Sequence, residues 1–404
     1  MKILFASHHF YLDQSNGASI STRELLRSLT TRGWRITTFC GSAVDNPNNA
    51  DVEKYLELHG IKTLSRNRAD RKEDYWIESF RDGNIDSCVF RSKKEIQSTT
   101  QKIDSDAGAA FLRQFDAILK QVKPDVVVTY GGDWTGQPLL TLSQKNGAKT
   151  VVFLHNLAYY DAQYFTKANL TIVPSQYASE IYRKRLRIST VAIPPLIDWK
   201  TVESKQSPPD EHKYLLFVNP SRAKGIYLFV RIIKDLWKIR PEIPILVVEG
   251  SSNANELRKF SGILSGVKSV NFKPNTPRPR DYYRKAKITL VPSFCDETFG
   301  RVAAESLIAN VPVVASNRGA LPETLGDATI LLDIPQKYSS LTNLVPSSSV
   351  AQPWIKAILN LWDNAELYAK AQERGRERAR HWDHLRILDN YEQVLKELIN
   401  SKDV

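Results

Sequence analysis

Short apolar runs and amphipathic stretches alternate along almost the whole chain. Ile3–Ala6 reads as a strand. After a polar loop, Ser19–Arg32 carries Leu25, Leu26 and Leu29 on one helical face, and Gly33 supplies a stop. Trp34–Phe39, Asp125–Thr129, Thr150–Leu154 and Leu170–Val173 read as further strands, with a helix from about Ser175. The unbroken apolar runs DVVVT and TVVFL mark strands buried on both faces. Such alternation implies a parallel sheet with helices on both sides. The stretch from about 50 to 105 is polar, rich in Arg and Asp and poorly periodic, and yields no clear element.

Pro and charge concentrate near Ile193–Pro195 and in Ser204–Lys213 (SKQSPPDEHK), as a linker would show. The alternation then restarts. Tyr214–Val218, Ile245–Val248, Val270–Phe272, Ile288–Val291, Val311–Ala315 and Thr329–Leu332 read as strands, with helices at about 226–239, 302–309 and 321–325. Gln336–Val350 is Ser-rich and reads as a surface loop, and the last 50 residues are helical by pattern. The expected architecture is α/β: a doubly wound domain over 1–196, a second over 197–380, and a last helix over 381–404 packing back on the first domain. Ligands of open parallel sheets bind outside the carboxyl ends of the strands. Two such sheets facing each other across a cleft would put the chemistry in the loops that follow the strands.

Composition narrows the classes. With 404 residues, 42% hydrophobic and 25% charged, the chain has material for two globular cores. No apolar run reaches the roughly 18 residues needed to span a bilayer. The start, MKILFASHHF, is too short in apolar character for a signal peptide and reads as a strand. Cys40, Cys88 and Cys295 are isolated, which excludes a disulfide scaffold and suggests a reducing, cytoplasmic setting. Lys and Arg exceed Asp and Glu by 56 to 44, and the net charge of +12 favours anionic partners. The densest basic clusters, Arg183–Arg187 (RKRLR) and Arg374–Arg380 (RGRERAR), lack the interleaved aromatics of a single-strand-binding surface. No nucleic acid partner is expected. RKRLR reads first as a solvated helix face, and second as a peripheral contact with an anionic membrane.

Chemistry-bearing residues recur at strand ends. After Ile288–Val291 comes Pro292-Ser-Phe-Cys-Asp-Glu297-Thr-Phe-Gly300-Arg-Val-Ala-Ala-Glu305. Phe299, Gly300, Arg301 and Val302 open the next helix, where exposed amides and the helix dipole suit a phosphate. Gly300 lets backbone approach a ligand closely. A second loop, Ser316-Asn-Arg-Gly319-Ala-Leu-Pro-Glu323, also opens a helix, and a basic loop, Asn219-Pro-Ser-Arg222-Ala-Lys224-Gly225, follows a third strand. In the first half, Asn16-Gly17 opens the first long helix, Gly131-Gly132-Asp133 follows DVVVT and His155 follows TVVFL. Adjacent strand residues point to opposite faces, so His8 and His9 are not expected to share a metal, though one should line the cleft.

The order Lys224-Gly225, PSFCDETFGRVAAE (292–305), VPVVASNRGALPE (311–323) resembles the nucleotide-sugar-binding half of retaining glycosyltransferases of the two-Rossmann (GT-B) type, family 4. The likeness runs over about 214–330 and is weaker at 1–42 and 124–200. It implies a GT-B fold with a nucleotide-sugar donor domain at the C-terminal side and an acceptor domain before it. By resemblance, Glu297 would face the donor sugar and Glu305 would hold the ribose. Backbone around Phe299, Gly300 and Arg301 would contact sugar and diphosphate, and Lys224 would stabilise the departing diphosphate. Gly17 would approach that diphosphate, His155 would sit near sugar and acceptor, and Lys273–Asn275 would hold the base edge. The family commonly has Arg five residues before the Lys. Here that position is Asn219, with Arg222 the nearest guanidinium, and the usual Gly-Gly of the first loop is reduced to Asn16-Gly17.

The implied reaction moves a sugar from a nucleotide diphosphate sugar, a co-substrate, to an acceptor hydroxyl of a glycan, lipid or small molecule. No cofactor or metal is expected. Trp134, Tyr159, Tyr160, Tyr164 and Phe165 read as acceptor-side aromatics or, by preference, as helix packing against the sheet. A sugar-nucleotide epimerase of similar architecture and a basic nucleic-acid-binding protein are the competing readings.

Overall fold

The computed structural model describes residues 1–45, 52–68, 74–93, 105–130, 135–203 and 212–401. It divides into two units, Met1–Leu196 with Leu385–Val404, and Ile197–His384.

In the first unit the order is β1 (Lys2–His9), α1 (Gly17–Thr31), β2 (Arg35–Ala43), α2 (Val52–Leu58), β3 (Thr63–Arg68), β4 (Tyr75–Asp82), β5 (Ile85–Ser92), α3 (Ser105–Val122), β6 (Val126–Tyr130), α4 (Gly136–Lys145), β7 (Lys149–Phe153), β8 (Leu170–Val173), α5 (Gln176–Leu186) and β9 (Val191–Ala192). The nine strands lie in the order β3-β4-β5-β2-β1-β6-β7-β8-β9. The sheet is parallel from β5 to β9, whereas β3, β4 and β5 form an antiparallel meander. This meander occupies the stretch in which no element was legible. Its strands bury Glu78, Asp82 and Arg91, so ion pairs stand where an apolar alternation would have signalled a strand.

His8 and His9 do not obey simple alternation. The β1–β2 register shifts between Ser7 and His9, and the two rings lie 4.2 Å apart, centre to centre. Gly41 of β2 makes room for this bulge, because a Cβ there would sit 2.4 Å from the His8 carbonyl oxygen. Among the described residues no group of three or more His, Cys, Asp or Glu could hold a metal ion.

The second unit runs α6 (Trp199–Val202), β10 (Tyr214–Val218), α7 (Ile226–Trp237), β11 (Ile245–Val248), α8 (Ala254–Arg258), β12 (Val270–Lys273), α9 (Arg280–Tyr283), β13 (Ala286–Val291), α10 (Arg301–Ile308), β14 (Val313–Ser316), α11 (Leu321–Leu325), β15 (Ile330–Leu332), α12 (Ser348–Asp363) and α13 (Ala365–Ala379). The strand order β12-β11-β10-β13-β14-β15 is all parallel. The chain leaves the central strand in one direction and then crosses to its other side. The switch point therefore falls between β10 and β13, where strand-end loops diverge and leave room for a ligand. One core layer joins α7 to α12 around fully buried Trp354, and a second packs α10 and α11 with Trp382.

The second unit ends at His384 rather than at residue 380. Trp382 accounts for the difference: its ring packs edge-on to Phe299, 5.8 Å away, and its carbonyl accepts Trp199 Nε1–H at 3.0 Å. The last helix, α14 (His384–Asn400), buries Ile387, Leu388, Tyr391 and Leu395 in the first unit's core. Spacings of one, three and four put these residues on one face. Arg32 reaches Asp389 at 2.7 Å, and Trp34 Nε1–H reaches Glu392 at 3.0 Å. Among the described residues no helix is long and apolar enough to cross a membrane.

Candidate functional site

The switch point of the second sheet brings together residues far apart in sequence. Lys224 follows β10, and its Nζ lies 2.8 and 2.9 Å from Oε1 and Oε2 of Glu297, which follows β13. Ser293 Oγ–H donates to Glu297 Oε1 at 2.6 Å. Backbone ties hold the two loops in register: Phe294 N–H and Cys295 N–H both donate to the Ala223 carbonyl, at 2.8 and 3.1 Å. The third loop, after β14, closes on Glu297 from another side, with Ala320 N–H donating to its carbonyl at 2.7 Å.

Two glycines make this convergence sterically feasible. Gly225 and Gly319 have φ of +82° and +59°. A Cβ on Gly225 would fall 1.8 Å from the Pro292 carbonyl oxygen, and one on Gly319 would fall 2.4 Å from Glu297 N and O. Only glycine satisfies both the left-handed backbone and the approach.

The Glu297 side chain is 10% exposed and that of Lys224 is 34% exposed. Burial works against both charges, yet each is kept ionised by the other. The attraction of Glu297, with its hydrogen bond, outweighs desolvation and holds the Lys224 ammonium above the ordinary lysine range. Burial raises Glu297, but Lys224 and then Ser293 lower it by more. Burial, with the Glu297 charge beside it, pushes the Cys295 thiol up to about 12, so it is no thiolate nucleophile at neutral pH.

Gly300 caps α10 at φ +88° with no side-chain cap bond, which leaves the helix's first amides without a side-chain acceptor from the cap. Thr324 Oγ1–H fixes the Phe299 carbonyl at 2.5 Å, while the Phe299 ring is buried core. One turn into α10, buried Glu305 accepts Arg301 Nε–H at 2.6 Å on Oε1 and Tyr283 O–H at 2.9 Å on Oε2. Val302 is half-buried, and its carbonyl accepts from Tyr283 O–H at 3.2 Å and Ser306 Oγ–H at 2.9 Å.

Asn219, a donor-binding candidate by its position, bonds to the neighbouring loop. It sits at φ +59°, its Nδ2 donates to Ser251 Oγ at 3.1 Å, and its Oδ1 accepts from Ser252 N–H at 3.1 Å. The side chain is spent on tying the end of β10 to the end of β11, as an Asn in a left-handed position readily does. Arg222, three residues on, is exposed. Asn275 is half-buried after β12 and accepts Thr276 N–H at 2.9 Å.

In the first unit, Asn16 caps α1 by accepting from Ala18 N–H at 2.8 Å and Ser19 N–H at 3.2 Å, while its amide donates to Asp45 at 2.7 Å. Gly17 is exposed, with open space where a Cβ would stand. His155 follows β7, half-buried, edge-on to Tyr130 at 5.7 Å and to Phe153 at 6.2 Å. Tyr159 packs edge-on to Phe165 at 5.7 Å. Trp134 and Gly131–Asp133 lie outside the described residues. Ser293 and Tyr283, which hold the two glutamates, were not legible. A buried Ser before a loop and a Tyr at a helix end have many ordinary uses, and only the folded distances single them out.

Residues 200–378 match the model of the family described as glycosyl transferases group 1. The lipopolysaccharide 1,2-N-acetylglucosaminetransferase of Salmonella typhimurium is 25% identical over 213 residues, 48% of this chain and 55% of that protein. The first curated relatives are matched over only 24% to 55% of their own length. Sucrose-phosphate synthase of Thermosynechococcus elongatus superimposes with a TM-score of 0.71 at 19% identity, covering 100% of both chains. HepE of Anabaena, solved with UDP and glucose, gives 0.68 at 14% identity, covering 98% of this chain and 100% of that one. Residues 200–378 are therefore similar to the glycosyl transferases group 1 family, in a chain that has the GT-B fold.

Proposed function

We propose that this chain is a retaining, metal-independent family 4 glycosyltransferase, moving a sugar from a nucleotide diphosphate sugar to the hydroxyl of a glycan, lipid or small-molecule acceptor. One observation carries the reading: at the switch point of the second sheet, a lysine is held bidentate on a buried glutamate beside the amide-lined start of a helix. Departure of a nucleoside diphosphate develops negative charge, and catalysis requires fixed positive charge and N–H donors where it develops. Lys224 has three N–H groups and spends two on Glu297, so one remains for a phosphate oxygen. The first amides of α10 supply further donors. Exposed Arg222 is the candidate for the second cation in place of Asn219.

Glu305 fits the ribose by the same counting. A carboxylate offers about four acceptor positions. Arg301 and Tyr283 take one on each oxygen, leaving one on each for a vicinal diol. On the acceptor side, Arg183, Lys184, Arg185 and Arg187 are exposed at the end of α5, and Arg185 lies 4.3 Å over the exposed Tyr160 ring. That basic, aromatic end supports a lipid-linked acceptor, and loss of low-salt binding to anionic vesicles would remove this part.

The test is a thermal-shift screen with UDP, GDP, ADP, TDP and CDP and their sugar conjugates. UDP-glucose stands first, because a protein of similar fold has been solved with UDP and glucose. A ligand at a hundred times its Kd should stabilise by about 2.7 kcal/mol. Turnover of the hit with simple glycoside acceptors, unaffected by EDTA and with the product anomer assigned by NMR, completes the test. No stabilisation by any of the panel, or inversion at the anomeric carbon, refutes the reading.

A further inference from the structure

Counting acceptor positions on Glu297 singles out a residue with no role in the reading above. Its carboxylate has about four acceptor positions. Oε1 takes Lys224 and Ser293, and Oε2 takes Lys224 alone. Ser293 is fully buried, and its own carbonyl is fixed by Ser316 Oγ–H at 2.9 Å, from the end of β14. The hydroxyl is thus delivered from a loop residue whose backbone is tied to the end of β14. The Glu297 backbone is equally fixed, by Ala320 N–H at 2.7 Å and by the close passage of Gly319.

We propose that Ser293 is a positioning residue of the site: its hydroxyl saturates Oε1 of Glu297, so the single acceptor position left to the carboxylate lies on Oε2 and meets a hydroxyl of the donor sugar. The proposal rests on the donor reading above and deepens it. Discrimination between a nucleotide sugar and the bare nucleoside diphosphate would then depend on a side chain that touches neither. Lys224 keeps its remaining N–H for phosphate in both cases, so the pair need not part when ligand enters.

Lys224 and Ser293 together set the orientation of the Glu297 carboxylate, and Ser293 makes its two oxygens unequal. The charged or titratable neighbours are Lys224 from the loop after β10, and Cys295 and Asp296 on the same loop. The loop after β14 presents backbone only, because the Arg318 guanidinium is turned to the carbonyls of Ile334 at 3.1 Å and Tyr338 at 3.0 Å.

The experiment measures, by calorimetry from pH 4 to 8, the affinities of UDP-glucose with UDP, GDP-mannose with GDP and ADP-glucose with ADP. Wild type, Ser293→Ala, Ser293→Thr and Ser316→Ala are compared. For the pair that binds wild type, Ser293→Ala should lower the preference for the nucleotide sugar five- to tenfold and leave diphosphate affinity within twofold. The acid limb of nucleotide-sugar binding should move to higher pH, because the serine helps hold the Glu297 carboxylate low. Ser293→Thr, which keeps the hydroxyl, should restore both readouts. Ser316→Ala, which only loosens the hydroxyl's support, should lower the preference about twofold and serves if Ser293→Ala does not fold. An unmoved preference and acid limb in folded Ser293→Ala or Ser316→Ala overturns the proposal, as does equal loss of diphosphate and nucleotide sugar. If wild type binds none of the three pairs, the pair is taken from the wider thermal-shift panel, and wild type that binds no member of that panel overturns the donor reading and the proposal together.

Discussion

Each unit buries a carboxylate near the ends of its central strands, and the two are satisfied in opposite ways. In the first unit, Asp13 accepts Ser15 N–H at 2.8 Å, Ser15 Oγ–H at 2.6 Å and Tyr55 O–H at 2.8 Å on Oδ1, and Asp45 N–H at 2.7 Å on Oδ2. All four donors are neutral, three on Oδ1 and one on Oδ2, and none is a cation. In the second unit, Glu297 is held by a cation and one hydroxyl and keeps a position open. A carboxylate held by neutral donors alone staples loops together, here joining the approach to α1 with the end of β2 and with α2. One paired with lysine has capacity for a ligand on both partners, an acceptor position on the glutamate and an N–H on the lysine. The same residue chemistry at comparable places in two related folds thus gives a staple in one unit and a site in the other.

The largest expected effect tests the open side. Lys224→Ala removes the cation and leaves Glu297 buried without it. Sugar transfer should fall about 10²–10³-fold, by analogy with loss of one preorganised charge donor, in initial-rate assays with the screened donor. Turnover within threefold of wild type would make the pair a staple like Asp13.

Acid separates the units next. His59 packs beneath the Asp13 cluster: its Nδ1–H donates to the Tyr55 carbonyl at 2.7 Å, and Nε2 accepts from Arg23 at 2.8 Å and Gln14 at 3.1 Å. Burial, with Arg23 beside it, lowers its pKa to about 4. A group lowered on folding binds fewer protons in the native state, so stability falls as pH drops from about 6.5 toward 4, by at most about 3 kcal/mol. Glu297 is also lowered, but its contribution is lost only as pH falls through its depressed value, below the ordinary carboxylate range. Hydrogen exchange at pH 7 and 4.5 should therefore show α1 and α2 losing protection while β10 and β13 keep theirs. His59→Gln should flatten that window.

Asp13→Asn turns an acceptor into a donor facing donors and should cost about 1–3 kcal/mol in chemical denaturation, while the thermal shift given by donor persists. Loss of that shift would show that the staple is part of a site. The smallest effect concerns Asn219. Replacement by Ala loses its ties to Ser251 and Ser252 and places Ala in a left-handed backbone. About 1–2 kcal/mol of stability should go, with donor affinity changed less than twofold by calorimetry. A larger loss of affinity would return Asn219 to the donor site.

Much of the second unit was legible because its strands are buried on both faces and read as continuous apolar runs. Tyr214–Val218 and Ile245–Val248 appear in the structure with the expected bounds. The antiparallel meander of the first unit was not, because Arg91 inside β5 pairs with Glu78 at 2.8 Å and Glu53 at 2.9 Å, and such ion pairs look like solvent-facing sequence until the partners meet. The side-by-side His8 and His9 rings were missed for a related reason: a bulge is set by the neighbouring strand, here by Gly41, and leaves no mark at the histidines themselves.

The sequence by itself determined the α/β class, the two-domain division, and the presence of Lys224, Glu297 and Gly300 in loops after strands and of Glu305 in the helix that follows, because burial periodicity and glycine placement are local properties. Only the tertiary structure decided which strand ends adjoin, that Ser293 and Tyr283 hold the two glutamates, and that Asn219 serves the loop. Those facts depend on distances of about 3 Å between residues tens of positions apart, and such distances are fixed by sheet order and packing rather than by any local pattern.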